Sequence, residues 1–175
     1  MAGKNAEVRI RRIVVGFDAG AWRSETLREL AALAVETESE LLGVFIEDTD
    51  LLQLARLPFA AEVGYTSAAR RGLDLATLER ALRARADTLR RALAAVLDPA
   101  HVAWSFRVAR EAPSQVLGTA LAAALAEGHA PALLIPPRGR PHAAQRVVRA
   151  TELSDALLRE LIAAARPLLV LPRED

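Results

Sequence analysis

Apolar residues along the chain come in short unbroken runs separated by amphipathic stretches. Ile13, Val14, Val15, Gly16 and Phe17 form the first run, the pattern of a strand buried on both faces. Leu27, Leu30, Ala31, Ala34 and Val35 follow at helical spacing, with Ser24 placed to cap that helix. Residues 41–46 give a second strand. Leu75, Leu78, Leu82, Ala86, Leu89, Leu93 and Val96 then line one side of a helix that starts near Asp74 and stops before Asp98 and Pro99.

The third strand has a different pattern. Val102, Trp104, Phe106 and Val108 alternate with Ala103, Ser105 and Arg107, the period-two signature of a half-exposed strand and therefore of a sheet edge. A helix over residues 113–128 carries Val116, Leu117, Ala120, Leu121, Ala124 and Leu125 on its inner face. Residues 132–135 form a fourth, wholly apolar strand. Ser154 caps a last helix with Leu157, Leu158, Leu161, Ile162 and Ala165, closed by Pro167 before a terminal run of Leu168, Leu169, Val170 and Leu171.

Five strands joined by four helical crossovers predict one α/β domain over residues 1–175, with a doubly wound, open, five-stranded parallel sheet of Rossmann-like type and strand order 3-2-1-4-5. Residues 1–10 form a polar, flexible tail. The fifth strand would then be an edge, and an apolar edge exposes an unpaired ladder to water. Pairing of residues Leu168, Leu169, Val170 and Leu171 with their copies in a second subunit resolves this, so a homodimer is expected.

Two segments fall outside the alternation. Residues 48–74 are a long connection with a short helix around Leu51, Leu52, Leu54 and Ala55, then Leu57, Pro58 and Phe59, then a looser run through Gly64, Tyr65 and Ser67. So apolar a segment must dock on the domain, a ligand or a partner. Residues 136–149 are a connection rich in proline and arginine.

Composition narrows the functional classes. The chain of 175 residues is 52% hydrophobic and 26% charged, enough to bury a core. With no cysteine it has no disulfide, thiolate metal site or cysteine nucleophile, which fits a cytoplasmic location. A net charge of +1 gives no strong pull toward nucleic acid. No segment is apolar for long enough to insert in a membrane. His101, His129 and His142 are dispersed without metal-ligand spacing, and there is neither a nucleophile elbow nor a phosphate-loop lysine. No catalytic set is visible.

Ligands of open doubly wound sheets bind beyond the carboxyl ends of the strands, where the order reverses. Here that crevice lies between residues 16–20 (Gly16, Phe17, Asp18, Ala19 and Gly20) and residues 136–140 (Pro136, Pro137, Arg138, Gly139 and Arg140). Trp22, in the first strand–helix connection, is placed to stack on a ligand or on the long segment, whereas Trp104 reads as core. The order of elements, these two segments and the run Leu42-Gly43-Val44-Phe45-Ile46-Glu47-Asp48 resemble the universal stress protein family over residues 11–172.

That resemblance implies an adenine nucleotide alpha hydrolase-like fold. In the family's nucleotide-binding branch an aspartate ends the first strand near the adenosine, and a loop G-x2-G-x9-G-[ST] holds the phosphates. Asp18 matches the aspartate and Gly139 the second glycine. Pro136 stands at the first glycine, and Arg149 and Ala150 stand where Gly-[ST] is expected; a longer loop would bring Ser154 and Asp155 there instead. Proline has no N–H, and a carboxylate repels an anion, so the ATP grip reads as degenerate.

The resemblance therefore implies a non-enzymatic stress-response protein, dimeric, acting through protein contacts and without a cofactor. The alternative is an ATP- or AMP-binding module in which an arginine-rich loop replaces the glycine loop, with Asp18, Arg138, Gly139 and Arg140 as the binding residues. Arg146, Arg149 and His142 extend the basic stretch, since arginines hold phosphate without glycines. A nucleotide hydrolase comes third.

Overall fold

The computed structural model describes residues 9–20, 22–47, 49–57, 61–63, 70–72 and 74–173. The expected strands β1 (Arg12–Phe17), β2 (Glu40–Ile46), β5 (Trp104–Ala109) and β6 (Ala132–Ile135) form a parallel array in the order β5-β2-β1-β6. Helix α1 (Ser24–Thr37) and helix α3 (Leu75–Leu97) pack on one face, and α4 (Pro113–Ala126) and α5 (Asp155–Ala163) on the other. The result is a three-layer α/β fold with a mostly parallel, doubly wound sheet.

Two apolar cores follow from this layering. β1 shows why its residues had to be apolar throughout. Ile13 and Val15 enter the core under α1 and α3, while Val14 enters the core under α4 and α5. In α3, Leu82, Ala86, Leu89, Leu93 and Leu97 are buried at the predicted helical spacing. Each fully buried leucine contributes about 1.5–3 kcal/mol of transfer free energy.

Side-chain caps fix the starts of α3 and α5. The Asp74 carboxylate accepts from Thr77 N at 3.1 Å, and Ser154 Oγ accepts from Leu157 N at 3.2 Å. Ser24 is not the cap it was expected to be: it is the first helical residue, and Arg23 holds the cap position without a side-chain bond.

The far side of the sheet departs from the all-parallel, five-stranded expectation. A sixth strand, β7 (Arg146–Arg149), forms the edge, and the terminal strand β8 (Leu168–Leu171) lies between β6 and β7. β8 runs antiparallel to β6 and parallel to β7. The physical reason is the path of the chain. After β6 it crosses the carboxyl end of the sheet and comes back as β7, so β8, reached through α5, runs the same way as β7.

This arrangement removes the premise of the expected dimer. Leu168, Leu169 and Val170 are buried and are paired on both sides within one chain. The apolar run is an interior strand, so residues 168–171 offer no edge to a second copy. The other predicted edge, β5, is an edge as expected.

In the long connection, α2 (Thr49–Leu54) forms where a short helix was expected, and β3 (Ala61–Val63) pairs antiparallel with β4 (Arg70–Gly72). The docking expected of Pro58, Phe59, Gly64, Tyr65 and Ser67 lies outside the described residues, as do residues 1–8 of the expected tail of residues 1–10; Ile10 is buried in the core. No helix among the described residues is long and apolar enough to cross a membrane.

Candidate functional site

The crevice predicted from topology is present. Asp18, Arg138, Gly139 and Arg140 all line one cavity of about 220 Å³ beyond the ends of β1 and β6, together with Trp22 and Thr26. The first two meet directly: Arg138 Nε donates to Asp18 Oδ2 at 2.9 Å, while Asp18 Oδ1 accepts from Gly20 N at 2.8 Å. Both carboxylate oxygens are therefore engaged within the protein.

The turn after β6 owes its shape to its sequence. Gly139 N donates to Pro136 O at 2.9 Å, closing a four-residue turn with Pro137 and Arg138 at its centre. Arg138 sits there at φ 64°, the left-handed region in which glycine is favoured. Proline at 137 fixes its own φ at the value the second position of such a turn needs. Gly139 is needed for another reason, since a Cβ there would lie 2.8 Å from Pro136 O. Gly16 is required likewise: a Cβ on it would meet Pro137 Cδ at 2.9 Å, so β1 passes close beneath the turn.

A phosphate cradle needs backbone N–H groups free to converge on an anion. This turn has proline at 136, 137 and 141, and the N–H of Gly139 is turned inward to Pro136. A second cavity of about 520 Å³ shares Asp18 and Arg138 with the first and is lined by Asp50 and Glu111. Carboxylates there oppose an anionic chain reaching across the Asp18–Arg138 pair.

The basic stretch is not one patch. Arg138 is paired with Asp18, and Arg146 Nη1 lies 3.4 Å from Glu160 Oε1. Arg149 N donates to Glu152 Oε2 at 2.9 Å, which ties down the start of the 3-10 turn of residues 150–152. Arg140 is exposed and lines the cavity without an ion pair among the described residues. Arg23 and Thr26, at the start of α1, line the same cavity and were not singled out in the sequence. Their position directly after the first strand was the signal that could have found them.

Trp22 packs against the core, and the Arg85 guanidinium lies 5.9 Å from its ring centroid. The indole thus has a partner on α3 as well as a place on the cavity wall. Trp104 is half-buried and donates from Nε1 to Asp98 Oδ1 at 2.7 Å, a structural role. No group of three or more histidine or acidic side chains among the described residues is arranged to hold a metal ion.

No protein-family model matches the chain, and no curated protein matches it. Among solved structures it is similar to a protein of the universal stress protein family from Burkholderia pseudomallei, at 18% identity and TM-score 0.47, covering 94% of this chain and 98% of that one. It is also similar to a universal stress protein in complex with cAMP, at 15% identity and TM-score 0.38, covering 95% and 98% of the two chains. A cyclodipeptide synthase from Streptomyces noursei is similar at 17% identity and TM-score 0.34, over 68% of this chain and 54% of that one.

Proposed function

We propose that the chain is a universal-stress-type regulatory protein, cytoplasmic and non-enzymatic, that acts through protein contacts and holds no ATP. One observation carries this reading: the turn where phosphates would rest directs the Gly139 N–H to Pro136 O at 2.9 Å and has proline on either side. The Asp18 carboxylate, bound to Gly20 and Arg138, is likewise unavailable to a ribose without breaking an ion pair. Equilibrium dialysis against labelled ATP tests the reading. No retention at millimolar nucleotide is expected, and saturable retention overturns it.

A second reading has its own support. Arg140 lines the cavity without an ion pair among the described residues, beside Trp22 and Thr26. Arginine grips phosphate by its planar fork and needs no glycine loop. A cavity of about 220 Å³ is smaller than the roughly 300–1,000 Å³ of common ligand sites. It suits a small phosphate-bearing group, and a nucleotide such as AMP would require Arg138 to swing aside. On this reading R138A/R140A weakens retention of AMP at least about tenfold, a loss of ~1.4 kcal/mol, with the fold intact. Equal retention by variant and parent removes it.

Self-association through residues 168–171 is not part of either reading, because β8 is interior. The contact surface is sought at the free edges of the sheet.

A further inference from the structure

β5 is the edge strand beyond β2. Leu41 N donates to Ala103 O at 3.0 Å and Glu47 N to Ala109 O at 2.8 Å. Alternation then turns the backbone groups of the odd-numbered residues of β5 toward β2 and those of Trp104, Phe106 and Val108 outward. Among the described residues no strand pairs with this outer side. Such an edge is the template used when a peptide is recognised by adding itself as a strand.

The surroundings of the edge carry both signs of charge, and the cations without an ion pair among the described residues stand on α3. α3 and β5 flank a groove of about 360 Å³ lined by Arg83, Arg90 and Arg110, with Val108 at its apolar margin, 47% exposed, while the Arg107 side chain turns to the other face of the sheet, where Nη2 donates to Val116 O at 3.4 Å. Two carboxylates are present. Glu47 is buried and bound to Arg110, which also reaches Glu79 at 3.3 Å. Asp87 is exposed on α3 between the first two arginines. Arg83 and Arg90 form no ion pair among the described residues.

We infer that the β5 edge and this groove are a docking site for an extended acidic segment of a partner protein, which pairs with Trp104, Phe106 and Val108 and sets its carboxylates against Arg83 and Arg90. Charged edges ordinarily discourage strand pairing. Two cations without a partner, Arg83 and Arg90, discourage it selectively. A second copy of this chain would bring no surplus of acid to Arg83 and Arg90, whereas an acidic strand gains at both. Nucleic acid would answer the arginines but leave the outward N–H and C=O groups unpaired, so the edge favours a peptide. The inference specifies the partner chemistry within the protein-contact reading and rests on it.

The test is fluorescence polarisation with a labelled nine-residue peptide alternating glutamate and valine, compared with one alternating lysine and valine. The acidic peptide binds and the basic one does not. R83E/R90E, at exposed helix positions, weakens binding about tenfold or more. V108P does the same, because the Val108 N–H points away from β2 and proline there removes no bond of the sheet. Should V108P fail to fold, the parent protein with the acidic peptide N-methylated at alternate residues serves instead, and binding is lost. No binding of the acidic peptide at millimolar concentration overturns the inference. So does affinity unchanged by R83E/R90E, by V108P or by N-methylation, or displacement of the peptide by a single-stranded oligonucleotide at lower concentration than by unlabelled peptide. Retention of ATP in dialysis would overturn the protein-contact reading alone, so the two failures are distinguishable.

Discussion

Arg138 holds two opposed roles at one position. Its backbone lies at φ 64°, a conformation that costs a residue with a Cβ roughly 1–2 kcal/mol and costs glycine almost nothing. Its side chain is 76% exposed, so the ion pair with Asp18 returns at most about 1 kcal/mol. Both variants lose the pair and only R138A keeps the strain, so R138G melts above R138A by about 2–8 °C for a chain of this size. Scanning calorimetry of the two variants checks this; equal melting temperatures would mean the turn relaxes without cost. G139A melts below the parent, since its Cβ would lie 2.8 Å from Pro136 O.

At this scale the site was legible in part. Asp18, Arg138, Gly139 and Arg140 could be assigned to one crevice because strand ends in a doubly wound sheet converge at the switch point. That Arg138 closes onto Asp18 was not legible. The partners are 120 residues apart, and the contact depends on a left-handed turn that the identity of residue 138 itself argues against.

Elements with strong periodicity were readable and the weak one was not. The terminal run of residues 168–171 was correctly read as a strand, but its neighbour β7 consists of two valines between two arginines, too short a pattern to register. Missing β7 made β8 look like an apolar edge. The real edge is guarded. Arg146 N donates to Pro167 O at 2.9 Å, so Arg146 and Val148 turn toward β8 while Val147 and Arg149 turn outward. The outward N–H of Arg149 is held by Glu152 at 2.9 Å, leaving Val147 as the only free rung of β7 among the described residues.

V170D consequently unfolds the protein instead of separating subunits, because it places an unpaired charge at a fully buried position between two strands, at a cost above about 4 kcal/mol. Circular dichroism with light scattering distinguishes the outcomes; a folded monomer arising from a dimeric parent would restore the C-terminal interface. The start of α3 gives a pH signature. Asp74 has its pKa lowered below the ordinary 3.8, chiefly by the Thr77 hydroxyl and then by the Thr77 backbone N–H. A depressed carboxylate contributes stability that is fully present above its unfolded value and is lost as pH falls through the folded one. The melting difference between parent and D74A is therefore constant above about pH 5 and narrows below pH 4. A difference that does not change across pH 2–6 would assign the cap no charge contribution.

For the molecule as a whole, the three-layer sheet places two different surfaces at its disposal. One is the crevice at the carboxyl ends of β1 and β6, whose turn has its own internal hydrogen bonds and whose aspartate is already paired. The other is the arginine-lined β5 edge, where backbone groups remain without a strand partner among the described residues. The fold class could be read from the order of elements because burial on both faces forces continuous apolar strands. The balance between the two surfaces depends on hydrogen bonds that no sequence pattern encodes.

The most direct measurement of that balance is the melting temperature of the protein across an ATP series reaching millimolar concentration. A ligand that binds only the folded state stabilises by RT ln(1 + [L]/Kd), about 2.7 kcal/mol at a hundredfold excess over Kd. The account predicts a flat series, since neither the prolyl turn nor the paired aspartate offers the nucleotide a grip. A melting temperature that climbs with ATP would contradict it and make the crevice a nucleotide site.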